Sequence, residues 1–171
     1  EAEEAEAAAA PEAAAETIPF ILFEDGAEVF GRLVEVERGS GKIRGRSKLN
    51  TIRSKSMVMG GEGVIVVAGS DDPPRTVRLV EISSESLETV RQSQEDIYAG
   101  STLEEHDGSI YAVTKHEGSW HVGRFDMQLE LGARSAEEVA PQTMLLFQNG
   151  DLYVQSSSSE VILLDPKTLR R

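Results

Sequence analysis

Thr143-Met144-Leu145-Leu146-Phe147-Gln148-Asn149-Gly150, continued by Asp151-Leu152-Tyr153-Val154, is a stretch that the chain uses more than once. Its first eight residues match Pro19-Phe20-Ile21-Leu22-Phe23-Glu24-Asp25-Gly26 without a gap, 124 residues earlier. From Asn149 to Val154 it matches Asp107-Gly108-Ser109-Ile110-Tyr111-Ala112 at a spacing of 42, and Leu145 falls on Leu103. Gly63-Val64-Ile65-Val66-Val67 fills the same slot another 45 residues upstream. A second segment repeats as well: Leu33-Val34-Glu35-Val36 with Ser47 aligns to Leu79-Val80-Glu81-Ile82 with Ser93 at a spacing of 46. The strand running from Trp120 to Phe125 before Asp126 and the one ending at Leu164-Asp165 hold equivalent places in the last two repeats.

Four units follow, about 17–50, 51–98, 99–141 and 142–171. Each reads as an apolar strand, an Asx-Gly turn, a strand with a central aromatic or Val, a loop, a strand, an acidic turn and a strand. Asn149-Gly150 and Asp107-Gly108 supply the positive φ that tight hairpins require. Four antiparallel strands in some 40 residues is the period of a propeller blade. The expected fold is therefore all-β and β-propeller-like, with four antiparallel repeat units forming a small four-bladed ring. Ring closure predicts that Val161–Leu164 and Phe20–Phe23 lie in neighbouring blades. The first unit is short, and its middle hairpin from Ala27 to Val36 is expected to be cut down. A larger propeller, a distorted barrel and a sandwich are the alternatives.

The remaining composition fits one soluble domain on a leader. The 171 residues carry 39% hydrophobic and 27% charged side chains, enough apolar chain for a core. Residues 1–16 hold six Glu with Ala and one Pro11 but no Lys or Arg, so −7 of the −13 net charge remains on the body from Thr17. Pro11 and the lack of an apolar face make this stretch a linker or a frayed helix, disordered or helical, rather than a domain. A net acidic surface argues against nucleic-acid binding and against adhesion to anionic lipid. Cysteine is absent, which excludes disulfides and thiolate chemistry. No apolar run approaches the roughly 20 residues of a membrane-spanning helix, so direct membrane insertion is not expected. The start at Glu1 reads as a mature or excised fragment.

Catalytic and cofactor motifs do not stand out. The three histidines, His106, His116 and His121, fall in the third unit without helical i,i+4 spacing, and they read as exposed polar residues rather than zinc ligands. Asp71-Asp72-Pro73-Pro74 reads as an inter-strand loop, and no EF-hand spacing accompanies it. Ser156 to Ser159 lack a nucleophile elbow, and Gly60-Gly61-Glu62-Gly63 lacks the Lys and helix of a phosphate loop. The chain is therefore expected to be non-enzymatic, with no cofactor and no metal.

One pattern points to a partner. Lys42, Arg44, Arg46 and Lys48 alternate with Ile43, Gly45, Ser47 and Leu49, so on a strand the four cations share one face. Eight of the 17 basic residues lie within residues 32–55. Such cations protect an exposed edge strand, or they bind an anionic partner, the Glu-rich leader included. Trp120 and His121 are the other candidates, Trp120 either as blade filler or as a stacking platform for a glycan or peptide.

The pattern of Asn149-Gly150-Asp151-Leu152-Tyr153 followed by Leu164-Asp165-Pro166-Lys167-Thr168 resembles quinoprotein-like propeller blades, which implies packing and no bound quinone. Residues 17–171 also resemble the C-terminal domain of the spirochaetal 83/100-kilodalton antigen family. The stretches that carry this are Leu49 to Ser54, Val77 to Leu87, Gln92 to Ile97, Tyr111 to Asp126 and Leu163 to Leu169. The resemblance implies an exported protein of the periplasm or cell envelope, with a helical region ahead of this domain and no catalytic residues to carry over. The expected function is a non-catalytic, envelope-associated interaction or structural domain that binds a protein or another anionic partner. A glycan- or small-ligand-binding module and a hydrolase with spatially assembled carboxylates are the alternatives.

Overall fold

A computed structural model describes residues 16–24, 30–70 and 76–171. The leader up to residue 15, the Asp25-Gly26 turn with Ala27, and the Asp71–Pro74 loop lie outside the described residues. Every described element is a strand, and all neighbouring strands pair antiparallel.

By the repeat boundaries read from the sequence, the fourteen strands described form four groups. The first holds β1 (Thr17–Glu24), β2 (Phe30–Glu37) and β3 (Ile43–Arg46). The second holds β4 (Ile52–Met59), β5 (Gly63–Ser70), β6 (Thr76–Ser83) and β7 (Thr89–Gln92). The third holds β8 (Glu104–His106), β9 (Ser109–His116), β10 (Ser119–Phe125) and β11 (Leu131–Arg134). The fourth holds β12 (Leu146–Gln148), β13 (Asp151–Gln155) and β14 (Val161–Leu164). A single pair, Gly31 with Ile52, joins the first two units into one seven-stranded sheet. The third and fourth form separate sheets of four and three strands.

Register corrects the reading of the first unit. β1 pairs with β2 from Thr17↔Glu37 to Glu24↔Phe30, and β5 pairs with β6 from Gly63↔Ser83 to Ser70↔Thr76, the same register displaced by one repeat. β1 therefore stands where β5, β9 and β13 stand, not in the first-strand place of β12 that the match between Pro19–Gly26 and Thr143–Gly150 suggested. β2 is full length, so the middle hairpin is not cut down, and among the described residues it is the first strand of this unit that has no counterpart. Both kinds of strand are apolar and adjoin an Asx-Gly turn, and sequence alone does not separate them.

Turn chemistry explains the hairpins. Asp107-Gly108 has φ of 49° and 71°, Asn149-Gly150 54° and 88°, and Glu117-Gly118 48° and 92°. Two consecutive positive φ values give the turn whose twist matches the flanking strands. A second left-handed position repeats after the third strand of the second, third and fourth units. Leu87, Leu129 and Leu169 have φ of 57°, 64° and 54°, and their amides donate to the carbonyls of Ser83, Asp126 and Asp165. Gly41 does the same in the first unit, donating to Glu37. A left-handed Leu costs about 1–2 kcal/mol, but burying its side chain returns about 1.5–3 kcal/mol. All three leucines are buried.

A serine latch closes the outer strand in three units. The hydroxyls of Ser47, Ser93 and Ser135 accept from the amides of Leu33, Leu79 and Val122 at 3.1, 3.1 and 3.0 Å. The same hydroxyls donate onward to the carbonyls of Leu49, Glu95 and Glu137. All three serines are buried, so each latch satisfies backbone groups that water does not reach.

Apolar packing lies between units. One cluster joins Leu33 with Val64, Val66 and Ile82; a second joins Ile65 and Val67 with Ile110 and Phe125; a third joins Tyr111 and Val122 with Leu152 and Ile162. Along β5 and β9, alternate residues serve the preceding and the following unit, as the two-residue period of a strand dictates. None of the three clusters joins the first unit to the last. Phe20 is 52% and Val161 69% exposed, so the contact expected of a four-bladed ring is not present among the described residues.

Candidate functional site

The cationic stripe is where the alternation placed it. β3 pairs only with β2, and Arg44 and Arg46 lie on its exposed face while Ile43 and Gly45 are half-buried. Lys42 and Lys48 flank the strand and are exposed. Three of these four charges are already paired. Arg44 meets Glu37 at 2.7 Å, Arg46 meets Glu24 at 3.0 Å, and Lys48 pairs with Glu88. The Glu37 carboxyl is held below the usual carboxylate range, first by the Arg44 hydrogen bond, then by the Ser40 hydroxyl, with Arg44 and Lys42 adding their charge. Lys48 is raised and Glu88 lowered by their mutual hydrogen bond.

Trp120 is half-buried in the cluster between the third and fourth units. Tyr98 packs edge-on against it at 5.4 Å, and the Lys115 ammonium lies 5.6 Å from its ring. These contacts match the packing role more closely than that of an open platform. His121 is buried, and its Nδ1 donates to the Ser135 carbonyl at 2.9 Å. A carbonyl only accepts, so Nδ1 carries the proton and a neutral ring leaves Nε2 as an acceptor.

The β9–β10 hairpin brings His116 to within 6.0 Å of His121, ring centre to ring centre. Together with Glu117, Ser119, Arg134 and Glu138 they line an open, polar cleft of about 500 Å³. His106 is remote from both, stacked on Phe147 at 4.3 Å. It borders a second cleft of about 370 Å³ with Arg124, Asp165 and Lys167, floored by Tyr111. The Tyr111 hydroxyl donates to the Pro166 carbonyl at 2.9 Å, and burial pushes its ionisation up. Among the described residues no group of three or more His, Asp or Glu is placed to hold a metal ion. No helix among them is long and apolar enough to cross a membrane.

One buried charge escaped the sequence reading. Glu81 is fully buried in β6, where its Oε1 accepts from the amides of Glu62 and Gly63 at 2.8 and 3.2 Å. Its Oε2 lies 2.8 Å from Arg91 Nε, an ion pair without hydrogen-bond alignment. Arg91 also reaches Glu62 and, in the next unit, Gln128. The group ties the β4–β5 turn to the outer strand, so its work is structural. Glu35 occupies the same repeat position yet is only half-buried, which is why the repeat did not announce it.

Among solved structures, the computationally designed Ika8 protein is similar to this chain, with a TM-score of 0.54 at 14% identity. The match covers 87% of this chain and 46% of that one, so the chain spans about half the length of the structure it matches. No curated protein matches the chain. The family model of the Borrelia P83/100 protein matches residues 1–145, leader included. Membership is consistent with an envelope-associated role. The leader and the first three units, with the start of the fourth, thus belong together, and the chain is a member of the Borrelia P83/100 protein family.

Proposed function

We propose that this chain is a non-catalytic interaction module of a spirochaetal cell envelope, built as an arc of propeller-type blades that displays its loops to a protein partner. One observation carries the reading. The positions that repeat between units, namely the serine latches, the left-handed turn residues and the alternating apolar residues, are all engaged in packing. The exposed turns and loops differ from unit to unit, which is how a repeat scaffold separates stability from recognition. The contact is assigned to the rim of the 500 Å³ cleft, where His116 and Glu117 stand exposed on a tight turn. Binding of an anionic ligand by the stripe is less favoured, because Glu24, Glu37 and Glu88 would first have to be displaced. A small polar ligand such as a glycan is the second reading, favoured by the polar lining of the same cleft.

Affinity capture from envelope extract tests this, using the wild type, Arg44→Glu/Arg46→Glu, and His116→Ala/Glu117→Ala. One envelope protein retained by the wild type and the stripe variant, and lost with the turn variant, is expected. Nothing retained above a blank resin overturns the interaction reading. Loss with the stripe variant alone moves the contact to β3.

A further inference from the structure

The two terminal units expose the faces that every internal unit buries. In the first unit Ile18 and Phe20 occupy the places of Val64 and Val66 by register. Val64 and Val66 are 0% exposed beneath the preceding unit, whereas Ile18 and Phe20 are 48% and 52% exposed. In the fourth unit Val161 pairs with Gln155 as Val122 pairs with Val113. Val122 is 0% exposed beneath the following unit, and Val161 is 69% exposed. Leu146 and Leu163 share that face through Tyr153, their common cross-strand partner, and are 43% and 44% exposed.

Among the described residues the first unit has no counterpart of β4, β8 or β12, and this adds to the leading face. Met57 and Met59 on β4 pair with Val66 and Val64, so they point the same way and stand uncovered. Met57 borders an apolar groove of about 460 Å³ with Phe20, Ile21 and Phe23. With Met144 beside Leu146, these two faces hold eight of the nine exposed large hydrophobics among the described residues. Scattered exposed apolar residues need no explanation, but two concentrated faces do.

We infer that the occupant is a second copy of this chain, whose trailing face (Leu146, Val161, Leu163) packs on the leading face (Ile18, Phe20) of the first, and reciprocally. The two faces are the separated halves of the junction that the chain forms three times internally, so each is shaped for the other. Contacts of this head-to-tail kind make a ring when the rotation closes and a filament when it does not. Closure at two copies is favoured by the likeness above, where this fold covers 46% of one longer chain and the architecture has as much chain again to run. Each copy then buries two faces, and the pair shares two junctions.

Light scattering coupled to size exclusion tests this on the 171-residue chain with Phe20→Glu, Val161→Glu and an equimolar mixture of the two. The wild type is expected at twice the 18.6 kDa chain mass. Each variant loses both junctions in a homodimer and elutes as a folded monomer, with unchanged far-ultraviolet circular dichroism. Mixing restores one intact junction, and a heterodimer reappears. A monomeric wild type at micromolar concentration overturns the inference, as does a dimer indifferent to both substitutions. A ladder of larger species overturns the two-copy closure. Failure here leaves the capture result standing, because the cleft at His116 lies on the third unit and neither substitution touches it.

Discussion

Removal of the Ser135 hydroxyl isolates one joint of the fold. In Ser135→Ala the Val122 amide loses its acceptor at 3.0 Å, and the Glu137 carbonyl loses its donor at 2.8 Å. The backbone pair from the Ser135 amide to the Val122 carbonyl, at 2.9 Å, survives, so β11 stays docked. Val122 is fully buried and Ser135 nearly so, which keeps water from replacing the lost partner. An unsatisfied buried amide costs about 1–3 kcal/mol, and a domain of this size loses roughly 2–4 °C in Tm per kcal/mol. The expected shift is therefore about 2–12 °C, with an unchanged urea m-value, because no strand is released. Thermal and urea melts at one fixed protein concentration measure it, with exposed Ser157→Ala as the control. The chain provides its own replicates, since Ser47→Ala and Ser93→Ala remove the same bond from the Leu33 and Leu79 amides. A loss below about 0.5 kcal/mol at all three serines, the range of ordinary surface changes, would refute the latch.

Two further outcomes follow from the charges. Glu81→Ala strips the Glu62 and Gly63 amides of their acceptor while Arg91 keeps Glu62, and each amide left unsatisfied costs about 1–3 kcal/mol; a urea midpoint within error of the wild type would contradict the assignment. Glu37, Glu88 and Asp165 all have carboxyls lowered from their ordinary values of 4.5, 4.5 and 3.8, by the Arg44, Lys48 and Thr168 hydrogen bonds respectively. Lowered carboxylates contribute stability above their unfolded values and lose it as pH falls through the folded ones. Tm should thus decline below about pH 4.5, and a flat profile into stronger acid would count against these contacts.

The all-β class and most strand positions were legible because a spacing of 42 to 46 residues imprints equivalent side chains on equivalent strands. Asx-Gly pairs announced two hairpins, whereas Glu117-Gly118 was less visible, since Glu has no special tolerance of positive φ. The left-handed leucines were invisible for the same reason: Leu signals burial, and nothing in its chemistry signals the backbone angle. The stripe was legible as a face but not as a set of ion pairs. Glu37 lies 7 residues from Arg44, Glu24 22 from Arg46 and Glu88 40 from Lys48, and only the folded register brings them together. The Glu81 pocket hid behind a repeat match, because the same Glu at position 35 has a different environment.

Three apolar clusters, each straddling one junction and none central, give this chain the cooperativity of beads threaded on a line rather than that of a globule. Each unit is held only by its neighbours, so its stability is its own plus that of the seams it shares. The second and third units share two seams and the terminal ones share a single seam. In a chain separated from its partner copy, thermal opening therefore starts at the ends and travels inward, and the last amides to exchange are those of β5, β6, β9 and β10. A mutation at one seam divides the molecule locally instead of weakening it everywhere.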